Sequence, residues 1–236
     1  LPSPREVAES QLRAKYPEAK TEIDELLKLH ADYQKLRTTL DDPQDLIRML
    51  KGAGVLSFRI APRVGTYPDE MRLRSEMRSG GPKAVKSSDA RFYKVNQIEN
   101  WIDTKADADA LAQDPNHAAV VLSRMGYISE VYNGEAYMLC FDTRGARLTK
   151  DEGGWAVAAA RQSYDDKGRM SIAFEMNPAG AIKLGNLTRE HKGEPMAVLL
   201  DDEVYTAPNL MSEISSNGQI MGEFSPQEIE YIVRVL

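Results

Sequence analysis

The sequence has a single cysteine, Cys140, among its 236 residues. One thiol cannot form a disulfide within the chain, and no second thiol is available to share a structural zinc site. Cys140 lies in the apolar run Tyr137–Phe141, a pattern that is typical of a buried strand. We therefore interpret Cys140 as a small buried hydrophobic residue rather than a reactive thiol.

Long apolar runs and an excess of basic charge are missing as well. No apolar run approaches the ~18 residues that a membrane-spanning helix needs. The 36 acidic residues outnumber the 30 basic residues and give a formal charge of -6. General nucleic-acid binders depend on a basic surface, so the composition argues against nucleic acid as a partner.

Both ends of the sequence are typical of an excised segment. Residue 1 is leucine rather than methionine, and no charged-then-apolar signal segment follows it. The last predicted helix begins at Ser225-Pro226, and its apolar pattern continues to Leu236 without a closing Gly, Asn or Pro. We therefore expect the chain to be a piece of a longer protein.

Motifs for catalysis and metal binding are also missing. His30, His117 and His191 lie at unrelated positions and at no metal-ligand spacing. No G-x-S-x-G nucleophile motif occurs, and the pairs Asp165-Asp166 and Asp201-Asp202 lie in predicted turns, where Asp forms local hydrogen bonds. The sequence therefore predicts no catalytic residue, no cofactor site and no metal site.

Strand signals are concentrated in the second half of the sequence. Residues 127–131 and 135–141 flank Asn133-Gly134, a dipeptide that favours a type I′ turn. Residues 158–164 and 170–176 form a second predicted hairpin. A helix over 178–191 and three strands follow, at 196–200, 203–206 and 219–223. This order predicts an α+β fold with a β-α-β crossover.

The first half is mostly helical, with charged segments after it. An amphipathic pattern predicts a helix over 21–40, and Asp42-Pro43 begins another helix that precedes a strand at Leu56–Ile60. Between Arg59 and Lys94, nine residues are basic and four are acidic. Between Glu99 and Asp114, five residues are acidic and only Lys105 is basic. The basic segment is interpreted as a flexible loop or a charged docking surface, and the acidic one as a solvated helix or turn.

The segment Val204–Pro208 has the pattern of a strand that ends in proline. Proline cannot donate to a neighbouring strand, so it is confined to the edges and ends of sheets. An edge strand can be extended by the backbone of a bound peptide. The pattern therefore favours a surface that another chain contacts.

An ordered set of short motifs runs through residues 171–236. They are Pro178-Ala179-Gly180-Ala181, Leu187-Thr188-Arg189, Lys192-Gly193-Glu194-Pro195, Leu200-Asp201-Asp202 and Val204-Tyr205-Thr206-Ala207-Pro208. This run resembles the large first extracytoplasmic domain of SecD, the membrane subunit that assists the bacterial Sec translocon. The strand Leu56–Ile60, with Asp42-Pro43 before it, is similar to the base segment of the same family.

The resemblance implies an α+β fold with two subdomains. A ferredoxin-like α/β head with a mixed sheet would occupy 155–236, and a partly helical base with the basic loop would occupy 1–100. Residues 101–154 would connect them and contain the first hairpin. The family has a strand-helix-strand unit before its Phe-Arg strand, whereas residues 2–40 are predicted to be helical throughout. Two alternatives stay open: the missing strands were trimmed and the base is incomplete, or a helical insertion replaces them.

The resemblance also implies a function without enzymatic activity. The domain would lie on the periplasmic side of the bacterial inner membrane, anchored by flanking membrane helices that this chain does not contain. Its partners would be a SecF-like subunit, the SecYEG channel and the unfolded exported polypeptide. Two alternatives stay open: a soluble protein-interaction module unrelated to export, and an enzyme that binds an anionic substrate at the basic loop.

Candidate polypeptide-contacting residues follow from this function. A factor that handles many exported proteins cannot depend on their sequence, so adaptable apolar side chains and strand edges suit it. Tyr205, Pro208, Leu210 and Met211 combine both features. Tyr205 and Leu210 also fit a buried position, because apolar residues beside a strand are usually in the core.

Overall fold

The computed structural model describes Lys15, residues 55–164 and residues 170–221. The chain divides into two compact units, Leu1–Gly52 and Ala53–Leu236, and the fold below belongs to the second. The helices predicted over 21–40, at Asp42-Pro43 and at Ser225-Pro226 lie outside the described residues, as do the turn between the strands of the second hairpin and the strand end beyond 221.

The described residues form four α-helices and ten strands. The helices are α1 (Glu70–Gly80), α2 (Lys105–Gln113), α3 (His117–Arg124) and α4 (Pro178–Glu190). The strands are β1 (Leu56–Ile60), β2 (Ala90–Val95), β3 (Ser129–Tyr132), β4 (Glu135–Phe141), β5 (Arg147–Leu148), β6 (Val157–Tyr164), β7 (Met170–Met176), β8 (Met196–Leu200), β9 (Glu203–Thr206) and β10 (Asn217–Met221). In this part of the chain, none of the helices combines the length and the hydrophobicity that crossing a bilayer requires.

Two sheets organise these strands. The larger has seven strands in the order β3-β4-β2-β9-β8-β1-β5, and the smaller has the order β10-β7-β6. All neighbours are antiparallel except β2 and β9, which run parallel. The predicted α+β class with a mixed sheet is confirmed. The predicted crossover β7-α4-β8 connects the small sheet to the large one rather than two strands of one sheet.

Local signals account for the best-predicted elements. Asn133 and Gly134 have φ of 52° and 78° and join β3 to β4 with Tyr132 opposite Glu135, so the first hairpin is confirmed. The side chain of Asn177 accepts a hydrogen bond of 2.8 Å from the amide of Gly180 and begins α4, with proline in the first turn. The predicted helix over 178–191 is therefore also confirmed.

Alternating side chains on the strands build three hydrophobic clusters. The first lies between the small sheet, α4 and one face of β1 and β8, and it includes Phe58, Val198, Phe174, Leu184 and Leu210. The second lies on the opposite face of the large sheet beside α3, and it includes Tyr93, Leu122, Met138 and Leu199. The third lies beneath α1 and includes Leu73, Met77, Phe92 and Leu139.

The prediction of a flexible basic loop between Arg59 and Lys94 is wrong. This segment contains α1 and β2, and β2 lies inside the large sheet. The helix forms because Leu73 and Met77, one turn apart, are both fully buried. The other faces of α1 are mostly charged, so the two buried apolar positions do not stand out in the sequence. The acidic segment does form a helix, α2, as predicted.

The prediction that Val204–Pro208 lies at the edge of a sheet is also wrong. Strand β9 lies between β2 and β8 in the interior of the large sheet. Val204 is opposite Val95 of β2, and Thr206 is opposite Val198 of β8. The proline stands after the end of the strand, where the missing N–H costs the sheet no hydrogen bond.

The division into 1–100, 101–154 and 155–236 stays a prediction. The large sheet takes strands from all three segments: β1 and β2 from the first, β3, β4 and β5 from the second, and β8 and β9 from the third.

Candidate functional site

The predicted contact residues lie together in one short stretch, Tyr205–Met211, which we call the 205–211 segment. It runs from the end of β9 towards β10. Leu210 is only 1% exposed and belongs to the first hydrophobic cluster, whereas Met211, the next residue, is 80% exposed. Tyr205 and Pro208 are half-buried, and Tyr205 packs against the first cluster. The segment therefore has a buried side and an exposed side.

Backbone hydrogen bonds join the segment to the start of β8 and to the residues just before it. The amide of Leu210 donates to the carbonyl of Glu194 at 2.9 Å, and the carbonyl of Leu210 accepts from the amide of Gly193 at 2.8 Å. The carbonyl of Pro208 accepts from the amide of Met196 at 3.0 Å. These backbone groups are already paired, so a bound peptide cannot extend the sheet through them.

The opposite side of the segment is held by two long side chains. The hydroxyl of Tyr127 donates to the carbonyl of Ala207 at 2.6 Å. One guanidinium nitrogen of Arg63, Nη2, donates to the side-chain oxygen of Asn209 and to the carbonyl of Gly193, both at 2.8 Å. Pro208 lies between Ala207 and Asn209, which these bonds hold, and it presents only its ring. The segment is thus a fixed frame rather than a mobile loop.

The chain beyond Met211 is fixed to α4. Arg189 makes two hydrogen bonds to the carboxylate of Glu213, at 2.7 and 2.9 Å, and this pairing lowers the pKa of Glu213. The amide of Ile214 donates to the hydroxyl of Thr188 at 2.8 Å. Met211 therefore projects from a short stretch that is anchored on both sides.

The histidines and the cysteine have local structural partners. The Nε2 atom of His117 lies 2.7 Å from a carboxylate oxygen of Asp107, and His191 lies between the carboxylate of Glu194 and the carbonyl of Gly145. Within the described ranges, no group of three or more His, Cys, Asp or Glu could hold a metal ion. Cys140 is fully buried, and burial raises the pKa of its thiol to about 12, so its interpretation as a buried hydrophobic residue is confirmed.

Sequence reasoning missed a partly buried ionic cluster around Asp142. The carboxylate of Asp142 accepts hydrogen bonds from Arg59 of β1 and, at 2.6 Å, from Arg147 of β5. The guanidinium of Arg59 also lies 4.6 Å from the centre of the Tyr93 ring. Burial favours the neutral carboxyl, but the hydrogen bonds from Arg147 and Arg59 prevail and lower the pKa of Asp142. No short motif connects these residues in the sequence.

Comparison with known proteins finds a similarity that covers the last 96 residues of the chain. Residues 141–236 match the family model described as SecDF, P1 head subdomain. The protein translocase subunit SecD of Leptotrichia buccalis is 37% identical over 84 residues, which are 35% of this chain and 21% of the relative. SecD of Anaeromyxobacter dehalogenans is 45% identical over 65 residues, which are 28% of this chain and 11% of the relative.

A solved structure of SecDF in a super-membrane-facing form is similar to this chain with a TM-score of 0.43 and 22% sequence identity. The superposed part covers 82% of this chain and 20% of the SecDF chain. The matched part spans about a fifth or less of the length of these curated relatives. The motifs in 171–236 lie within the region that the family model matches. Residues 141–236 are therefore similar to the P1 head subdomain of SecDF, and the relatives that share this region are SecD-type translocase subunits.

Proposed function

We propose that this chain is the extracytoplasmic domain of a SecD-like subunit and assists protein export through the Sec translocon, driven by the proton-motive force. The observation that carries the proposal is the match of residues 141–236 to the SecDF P1 head subdomain. The relatives that share this region are named as protein translocase subunits. The proposed role needs no enzymatic activity and no cofactor.

In this proposal the domain lies on the periplasmic side of the bacterial inner membrane, anchored by membrane helices outside the chain. Its partners are a SecF-like subunit, the SecYEG channel and the exported polypeptide. The domain changes position as the membrane part cycles. The anchored frame around the 205–211 segment favours movement as a rigid body, because the segment is tied to Tyr127 and Glu194 and the chain after it is tied to Thr188 through Ile214.

The proposed contact with the emerging polypeptide uses apolar side chains. Met211 is 80% exposed, and its flexible, polarisable side chain can adapt to many partners. The ring of Pro208 and the exposed part of Tyr205 lie in the same segment. Leu210 contributes by holding the segment in the core. Contact through backbone groups, as in strand addition, is not part of the proposal, since those groups are paired.

Site-specific crosslinking to an arrested export substrate tests this proposal. The full-length subunit is placed in membrane vesicles with the translocon, and the crosslinker is placed on the substrate. We expect Met211→Ala and Pro208→Ala to reduce crosslinking while the melting temperature of the domain changes little. Met71→Ala is the matched control, because Met71 is an equally exposed methionine (86%) on α1.

Two results would overturn the contact proposal. Crosslinking could persist in the Met211→Ala and Pro208→Ala variants, or crosslinking and thermal stability could fall together. Either outcome would make the 205–211 segment structural. The broader proposal has a separate test: deletion of this domain from the full-length subunit should reduce the rate of export.

A further inference from the structure

His191 lies directly after α4, and its imidazole ring bridges two connections of the fold. The Nδ1 atom of the ring lies 3.0 Å from a carboxylate oxygen of Glu194, and the Nε2 atom lies 3.1 Å from the backbone carbonyl oxygen of Gly145. Glu194 belongs to residues 191–195, which we call the α4–β8 connection, and Gly145 belongs to residues 142–146, which we call the β4–β5 loop. The ring therefore joins two parts of the chain that are 46 residues apart.

Both partners of the ring are hydrogen-bond acceptors. A backbone carbonyl oxygen only accepts, and an ionised carboxylate only accepts. A neutral imidazole has one N–H and can donate to one of the two, whereas an imidazolium has an N–H on each nitrogen. In a neutral ring, the lone pair of the other nitrogen would face an oxygen atom. The contacts with Glu194 and Gly145 are therefore satisfied together only when His191 carries the positive charge.

The end of α4 favours the same charge. His191 is the C-terminal cap of this 13-residue helix, and its amide donates to the carbonyl of Leu187 at 3.2 Å. The last carbonyl groups of a helix carry partial negative charge, so they stabilise a cation that lies beside them. The side chain of His191 is only 21% exposed, and solvent screens such a partly buried charge less than a surface charge.

The other charged residues near the ring come from α4, the α4–β8 connection and the β4–β5 region, and the 205–211 segment adds no acidic or basic side chain. They are Arg189, Glu190, Lys192, Glu194, Asp142, Arg144 and Arg147. Asp142 is paired with Arg147, and Arg189 is paired with Glu213. Among the charged groups that the structure describes, only the carboxylate of Glu194 lies within hydrogen-bond distance of the ring. Glu194 is therefore the charged group that acts on His191 most directly.

The α4–β8 connection also holds the 205–211 segment. The amide of Gly193 donates to the carbonyl of Leu210 at 2.8 Å, and the amide of Leu210 donates to the carbonyl of Glu194 at 2.9 Å. Glu194 thus binds the ring of His191 with its side chain and the segment with its backbone. A change in the bonding of the ring therefore reaches the segment through one residue.

We propose that His191 is a proton-binding site whose protonated ring joins the β4–β5 loop to the α4–β8 connection. When the proton leaves, the ring keeps one of its two hydrogen bonds, and the connection is held less firmly. An imidazole changes charge between about pH 5 and pH 8, so the junction is strongest at the acidic end of that range. The proposal does not depend on what the 205–211 segment contacts.

Amide hydrogen exchange of the 236-residue chain tests the proposal. Exchange is measured between about pH 5.5 and pH 8 and corrected for the intrinsic rate at each pH. The reporters are the amides of Gly193 and Leu210, which form the bonds between the connection and the segment. We expect their protection to fall by about three- to tenfold as the pH rises, because a hydrogen bond of the charged ring is lost. In His191→Gln, their protection should not change over this range.

Glu194→Gln separates the proposal from a general effect of pH. The introduced amide can donate to Nδ1 of a neutral ring while Nε2–H donates to Gly145, so both contacts are satisfied without the second proton. The protection of Gly193 and Leu210 should therefore stay high up to about pH 8. Glu190→Gln is the matched control, because Glu190 is exposed, precedes His191 directly and loses the same charge. This control should keep the pH dependence of the wild type.

Three outcomes would overturn the proposal. The protection could be the same at all pH values in the wild type, the fall could persist in His191→Gln, or Glu194→Gln could show the same fall as the wild type. Nitrogen-15 NMR of the ring gives an independent reading, since it reports which ring nitrogens carry a proton. A fall in protection without any change in the protonation of His191 would assign the pH dependence to another group. Thermal melting of each variant shows that the fold is intact.

Discussion

The hydroxyl of Tyr127, just before β3, donates a hydrogen bond of 2.6 Å to the backbone carbonyl of Ala207, just after β9. Tyr127 and Ala207 are both buried, and the Tyr127 ring packs edge-on against Trp101 at 5.9 Å between centroids. The bond gives a buried carbonyl oxygen, which solvent does not reach, a hydrogen-bond donor. It also joins two parts of the large sheet that are 80 residues apart in the sequence.

Replacing Tyr127 with Phe should destabilise the domain by about 1–3 kcal/mol, because the carbonyl of Ala207 loses its partner while the ring packing is kept. Urea unfolding measures the effect. Tyr164→Phe is the control, since the side chain of Tyr164 is exposed and the same atom is removed. Equal stability of the two variants would contradict a structural role for the bond.

Asp142→Asn should have a larger effect. The substitution removes the negative charge that Arg59 and Arg147 share, and Arg59 is almost fully buried. Breaking a buried ion pair from one side costs about 3–5 kcal/mol. Here Arg59 would lose its carboxylate, whereas Arg147 would keep its bond to Asp151. Thermal and urea unfolding should both show the loss. Asp202→Asn, the same chemical change in the exposed turn between β8 and β9, should change stability little; a similar loss there would refute the argument.

The stability of the domain should depend on Asp107 at acidic pH. Hydrogen bonds from His117, Thr104 and Arg124 lower the pKa of Asp107 to about 2, from about 3.9 in an unfolded chain. The folded state therefore favours the carboxylate, and this stabilisation is complete above the unfolded pKa and is lost as the pH falls towards 2.

Asp107→Asn tests this dependence. The variant should be less stable than the wild type at neutral pH, and the difference should shrink between about pH 4 and pH 2, where the wild-type carboxylate becomes protonated. Unfolding free energies measured in urea at a series of pH values give the two curves. A difference that stays constant across that range would show that the pKa of Asp107 is not lowered by folding.

Gly218→Ala should destabilise the small sheet. Gly218 of β10 lies opposite Phe174 of β7, and a Cβ atom at this position would lie 2.2 Å from the Cζ atom of the Phe174 ring. Forcing an extra methyl group into a packed site costs about 1–3 kcal/mol. Unfolding measurements on the single variants and on Gly218→Ala with Phe174→Leu form a double-mutant cycle. The cost of Gly218→Ala should fall when the ring is absent; an unchanged cost would place its cause elsewhere.

Elements that depend on neighbouring residues were predictable from the sequence. Asn133-Gly134 forms the turn that its backbone preference favours, and Asn177-Pro178 begins α4 as its capping chemistry requires. The motifs in 171–236 lie in the matched P1 head region. In each case the interaction that stabilises the element spans only a few residues.

The features that sequence reasoning missed depend on distant partners. Strand β9 is interior because β2, from the first half of the chain, pairs with it. Glu130 of β3 pairs with Arg78 of α1, 52 residues earlier. Helix α1 was not predicted, because only Leu73 and Met77 form its buried side and the residues around them are mostly charged. None of these pairings leaves a pattern within a short window of sequence.

The place of β1 in the large sheet sets the order in which the domain can assemble. Leu56 is opposite Leu200, and the amide of Val55 donates to the side chain of Asp201, 146 residues later. During synthesis, β1 stays without its β8 partner until nearly the whole domain has been made. Closing so long a loop is slow, so we expect the folding rate to be limited by this pairing rather than by the local hairpins. Until then, the apolar face of β1 is open to aggregation or to protection by a chaperone.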